Sequence, residues 1–95
     1  MAESVIDYIQ NCASALGLNY SRIRRGRSGS PTFYDGLNIS LPKGCGIVLS
    51  TVGTSAETLM EAWGKRGRSE ANYDKNVTKE RAEKVLKILL EEGQK

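Results

Sequence analysis

Guanidinium groups are the most concentrated chemistry in this chain. Four arginines crowd into Arg22-Ile23-Arg24-Arg25-Gly26-Arg27, and three further bases into Lys65-Arg66-Gly67-Arg68. The tetrapeptide Arg-Gly-Arg-Ser occurs in both places, at 25–28 and 66–69. Arginine presents a planar fork that fits phosphate oxygens two at a time and stacks on flat rings. Each phosphate it neutralises releases condensed counterions, which favours binding at low salt. Tyr20, Phe33 and Tyr34 lie in or beside the first segment and are candidate stacking partners for bases. Trp63 stands beside the second, although tryptophan and Tyr20 alike are more often core residues than platforms. The same arginines also suit a solubilising surface or a face for an acidic protein.

Other chemistries find less to work with. Histidine is absent, which removes the commonest general base and the commonest zinc ligand. No carboxylate pair has the apolar flanks that would raise a pKa; Glu57 and Glu61 sit one helical turn apart but read as a cap or a solvated face. Cys12 falls on an apolar stripe, and Cys45 sits between two glycines with no histidine in the chain to make it a thiolate. Gly64-Lys65-Arg66-Gly67-Arg68-Ser69 lacks the spacing of a phosphate-binding loop. The expectation is a non-enzymatic chain with no cofactor and no metal.

Those basic segments need elements to hold them. The chain has 95 residues and a formal net charge of +3, concentrated in its middle: residues 17–76 carry nine bases against five acids. That length suits one small domain. Apolar runs such as Ile47–Leu49 are too short to span a membrane. Met1-Ala2-Glu3-Ser4 carries acid where a secretory leader carries base. Two cysteines without CxxC spacing suit a reducing compartment, cytoplasmic or nuclear.

Val5, Ile6, Ile9, Cys12, Ala13 and Leu16 recur at helical spacing, and Gly17 follows as a stop. Leu18–Arg24 alternates weakly as a strand. Residues 24–36 read as an exposed basic loop, with Tyr34-Asp35-Gly36 as a turn signal. Leu37, Ile39 and Leu41 alternate with polar neighbours; Pro42-Lys43-Gly44 is a turn, and Gly46–Val52 is a second β-rich run, so a hairpin is expected. Thr54-Ser55-Ala56-Glu57 fits a capping box, yet Leu59, Glu61 and Trp63 also alternate, so residues 55–63 are open between helix and strand. Residues 64–76 read as a second exposed basic loop. Ala82, Val85, Leu86, Leu89 and Leu90 form the buried stripe of a last helix. The predicted fold is α+β: a two-layer sandwich in which a small antiparallel sheet of three strands is covered on one face by the N-terminal and C-terminal helices. The other face is left for a partner or water.

The order helix, three strands, helix, with Pro31-Thr32-Phe33 after the first strand and Thr78-Lys79-Glu80-Arg81-Ala82-Glu83 opening the last helix, resembles the double-stranded RNA-binding domain. That resemblance implies phosphate contacts from Lys79, with Arg81 and Lys84 beside it. Residues 46–93, from Gly46-Ile47-Val48 through Gly64-Lys65-Arg66-Gly67 to the helix end at Gly93, are similar to the inserted domain of RNA 3′-terminal phosphate cyclases and their ribosome-assembly relatives. That domain does not hold the family's catalytic centre, so this likeness implies no cyclase activity. Both point to RNA. The expected function is nucleic-acid binding, RNA favoured, through Arg22, Arg24, Arg25, Arg27, Lys65, Arg66, Arg68 and Lys79, provided that the two basic segments share one surface. The alternative is a small protein-interaction adaptor or inhibitor that uses a basic loop or the free sheet face, with homodimer formation as one form of it.

Overall fold

A computed structural model describes residues 3–54, 57–64 and 67–94. Helix α1 spans Val5–Ala15, and five strands follow: β1 (Asn19–Arg25), β2 (Tyr34–Ser40), β3 (Gly46–Val52), β4 (Leu59–Gly64) and β5 (Gly67–Asp74). Helix α2, Lys79–Gln94, closes the chain. The strands form one antiparallel sheet in the order β1-β2-β3-β4-β5. The predicted α+β class and the helix-covered sheet hold; the sheet has five strands where three were expected.

Local chemistry sets the helix ends. The Ser4 hydroxyl accepts from the Asp7 amide at 3.1 Å, the cap at the start of α1. At its other end Leu18 donates to the Ala13 carbonyl (2.9 Å) and Gly17 to the Ser14 carbonyl (3.1 Å), while Gly17 adopts φ +70°. This is the Schellman arrangement, and glycine takes that φ without a Cβ clash. Thr78 caps α2 by accepting from the Arg81 amide.

Both helices lie on one face of the sheet. Ile6, Ile9 and Ala13 from α1 and Ala82, Val85, Leu86 and Leu89 from α2 meet Leu37, Ile39, Ile47, Leu49, Met60 and Ala62 from the three central strands, all buried. Leu16, expected in the α1 stripe, is about half exposed because the helix has already ended.

Two local expectations need correcting, and one open choice is decided. Tyr34-Asp35-Gly36 is not a turn but the start of β2, so the first loop is shorter than 24–36 and runs from Gly26 to Phe33. The segment open between helix and strand is strand from Leu59 onward; Ser55 and Ala56 lie outside the described residues. Within the expected loop 64–76, Gly67–Asp74 is β5. Its pairing with β4 is a backbone matter and requires no apolar alternation. The hairpin between β2 and β3 turns at Pro42–Gly44, with Lys43 at φ +61° and Leu41 donating to the Cys45 carbonyl at 3.0 Å.

Candidate nucleic-acid interface

Strand alternation splits the first basic segment between two environments. Arg22 and Arg24 stand opposite Leu37 and Asp35, on the helix-covered side; Arg25 stands opposite Tyr34, on the uncovered side. Arg22 is consumed internally. Its Nε and Nη2 grip both Asp35 oxygens at 2.6 and 2.7 Å, and its Nη1 donates to Asp7 Oδ1 (3.0 Å) and Gln10 Oε1 (2.7 Å). Asp35 is buried at 7% exposure, and such a carboxylate requires a paired cation. The Asp35 hydrogen bonds raise the Arg22 pKa against the opposing effect of its own partial burial. Partial burial pushes Asp7 upward, but the bonds from Arg22 and Ser4 outweigh it and hold the carboxyl below its ordinary range. Arg22 is therefore a structural clamp between α1, β1 and β2, and is withdrawn from the phosphate contacts expected of it.

The remaining arginines of this corner keep their charge available. Arg24 lies 3.8 Å from Asp35 with its side chain 63% exposed. Arg25 and Arg27 are exposed and form no ion pair with a described residue. With Asp35 already matched by Arg22, this end of β1 carries uncompensated positive charge.

The second basic segment is elsewhere. Gly64 and Gly67 pair with each other at the end of the sheet opposite the one where Arg25 pairs with Tyr34. β1 and β4 are also separated by two strands. Gly64 and Gly67, which flank the second segment, thus lie at the corner of the sheet diagonally opposite Arg25. Lys65 and Arg66 lie outside the described residues; for Arg68 the backbone in β5 is described and the side chain is not. Lys79 is engaged on the helix side, its Nζ 5.8 Å from the centre of the Tyr8 ring.

The expected aromatic partners also divide. Phe33 is buried and cannot stack on a ligand. Tyr20, 40% exposed, shares the helix-covered side of β1 with Arg22. Tyr34 is half-buried on the uncovered face, across from Arg25.

That uncovered face follows from the register. Arg25, Tyr34 and Val52 make one cross-strand row; Ile23, Gly36, Ser50 and Leu59 the next; Ser21, Asn38, Val48, Glu61 and Tyr73 the third; Asn19, Ser40, Gly46 and Trp63 the last. Two rings are laid against the strands where glycine leaves room. A Cβ on Gly36 would meet the Tyr34 hydroxyl at 2.6 Å and ring carbons at 2.8 and 2.9 Å, and one on Gly46 would collide with the Trp63 indole. A glycine within a strand weakens it by about 0.5–1 kcal/mol relative to alanine; a ring lying over it restores contact and shields the backbone. Within these four rows the charged residues are Arg25 and Glu61.

No known family, curated protein or solved structure matches this chain. A groove of about 190 Å³ between the helices, lined by Cys12, Ala15, Leu16, Glu83, Leu86 and Lys87, lies on the far side from the uncovered face. Burial pushes the Cys12 thiol above its ordinary pKa, which keeps it protonated and a poor nucleophile. Tyr8 closes the same helix pair by donating to Glu83 at 2.9 Å, and that bond raises the phenol pKa. No group of three or more metal-ligating side chains is present among the described residues.

The sequence reading did not find Trp63 over Gly46 or the Arg22–Asp35 clamp. Both depend on which residues stand opposite one another across strands, and β4 was unassigned. The two glycines at alternating positions of otherwise β-rich runs, Gly36 and Gly46, were the available signal.

Proposed function

We propose that this chain is a non-enzymatic nucleic-acid-binding module, RNA in preference to DNA, that contacts phosphate through the exposed arginines at the end of β1. The observation that carries this reading is the difference between neighbours on one strand. Arg22 neutralises the buried Asp35, and this leaves Arg24, Arg25 and Arg27 exposed at the end of β1, with Arg25 on the open sheet face. Lys65, Arg66 and Arg68 are further phosphate contacts in this reading, on the sequence alone. RNA is favoured on the likeness of residues 46–93 to the inserted domain of RNA 3′-terminal phosphate cyclases.

Fluorescence anisotropy of a labelled RNA oligonucleotide, titrated with protein at several salt concentrations, tests the reading. The logarithm of the association constant is expected to fall linearly with the logarithm of salt. Arg25→Ala with Arg27→Ala is expected to lower that slope by about one to two, with the fold unchanged by circular dichroism. Salt-independent association, or none at low salt, would sink it.

A protein-interaction role is supported by one specific observation: Ile23 and Val52 are 48% and 47% exposed on the uncovered face. In its homodimeric form this reading expects the chain to sediment as a dimer at micromolar concentration. Ile23→Ser with Val52→Ser would then return it to a monomer.

A further inference from the structure

Resting on the nucleic-acid reading above, we infer that the ligand of the uncovered face is single-stranded, with unpaired bases stacked on Tyr34 and Trp63. Both rings occupy the space above a glycine Cα, so each is laid against the sheet. Both also remain partly exposed, in contrast to the fully buried apolar residues on the other face of the same strands. A ring held against backbone on one side and open to solvent on the other is a rigid platform for a base, and every base has a π-face to offer it. Arg25, directly across from Tyr34, stands where the phosphate of a base stacked on that ring would lie.

The rings belong to β2 and β4 but lie over Gly36 and Gly46, on neighbouring strands and four residues apart along the register. With strand spacing near 4.8 Å and a rise near 3.4 Å per residue, those two glycines, and the rings over them, are roughly 14 Å apart. The line joining them runs from the Arg25 corner toward the corner where Gly64 and Gly67 pair. A strand crossing diagonally would thus leave a phosphate contact near its first base and enter the border of the second basic segment near its last.

Glu61 decides against a duplex. It is exposed on the third row, between Val48 and Tyr73 and next to the row of Trp63. A duplex laid on this face would press phosphates against that carboxylate, and its paired bases could not reach the rings. A single strand can keep its phosphates at the rim and turn base edges inward, where Glu61 accepts from their N–H groups. The carboxylate repels one ligand and hydrogen-bonds the other.

Trp63 is the chain's one tryptophan, so it reports on its own site. The experiment is a fluorescence titration of the full chain with an eight-nucleotide RNA of mixed sequence, within the roughly 4–16 nucleotides that a single-strand-binding domain covers, and with the blunt duplex of the same sequence at equal phosphate concentration. Saturable quenching of Trp63 by the single strand, with none by the duplex, is expected. By anisotropy of the labelled oligonucleotide, Tyr34→Ala and Trp63→Ala should each weaken binding by roughly five- to 100-fold. Tyr34→Phe and Trp63→Phe keep a ring and should stay within about threefold of the parent. The quenching measurement uses the unaltered chain, so a misfolded variant cannot mask the answer. If the duplex binds as tightly as the single strand, or the alanine variants bind as the parent does while the Arg25/Arg27 variant fails, stacking is overturned and the phosphate reading survives. If neither nucleic acid binds at low salt, the phosphate reading falls and this inference falls with it.

Discussion

The two faces of this sheet are made from the same strands and treat charge in opposite ways. On the covered face the buried carboxylate Asp35 is met by a two-pronged guanidinium, and no buried side-chain polar atom among the described residues lacks a partner. On the uncovered face Arg25 forms no ion pair with a described residue, and rings lie over bare backbone. The difference teaches that arginine count says little about binding surface. Arg22 and Arg25 are three residues apart, yet one holds the fold together and the other is available. Alternation along a strand separates the two, because it turns one side chain toward low dielectric and the next toward water.

The strongest way to break this comparison is to remove bulk from each face in turn. Leu86 is fully buried where α2 meets the core. Leu86→Ala should lower unfolding free energy by about 2–5 kcal/mol, read as a drop in urea midpoint with the slope unchanged. Val52→Ala, about half exposed on the uncovered face, should stay within about 0.5 kcal/mol. Equal losses at the two positions would mean that the uncovered face is covered in solution.

The clamp comes next. Asp35→Asn leaves the Arg22 guanidinium facing a neutral amide, with only half-exposed Asp7 and Gln10 as partners. Removing one member of a fully buried pair costs about 3–5 kcal/mol; because Arg22 keeps some access to water, roughly 2–3 kcal/mol is expected here by urea unfolding. The same change removes negative charge beneath Arg24, so RNA affinity at low salt should rise while stability falls. Affinity and stability falling together would show that Asp35 shapes the binding surface itself.

How much of this could be foreseen depends on what each segment packs against. Helices α1 and α2 and strands β2 and β3 were readable because their apolar residues must meet one core, and periodicity records that demand. Strand β4 has six residues, too few to separate two periods, and only pairing with β3 settles it. Strand β5 has Ala71 and Tyr73 as its apolar residues and sits at an edge, so its formation rests on backbone hydrogen bonds that side-chain patterns do not encode. Among the site residues, alternation alone places Arg22 and Arg24 on one side of β1 and Arg25 on the other. That Arg22 finds Asp35 depends on the register between β1 and β2, and Tyr34-Asp35-Gly36 had the composition of a turn.

The smallest expected effect sharpens the comparison at the edge of the clamp, where Asp7 offers Arg22 a half-exposed carboxylate. Asp7 also sits in the first turn of α1, three residues after the capping Ser4, where negative charge complements the helix dipole. Its folded pKa is depressed, so its contribution is fully present above the unfolded aspartate value near 3.9 and is lost as pH falls through the lower folded value. Asp7→Asn should therefore lower stability at neutral pH by about 0.5 kcal/mol, the scale of a solvent-screened pair. The gap to the parent should close below about pH 4 and shrink as salt is added. Urea midpoints for the two proteins at neutral and acid pH, each at low and high salt, check both trends. A gap that persists in acid would show that the asparagine disturbs the helix start rather than the charge on Arg22.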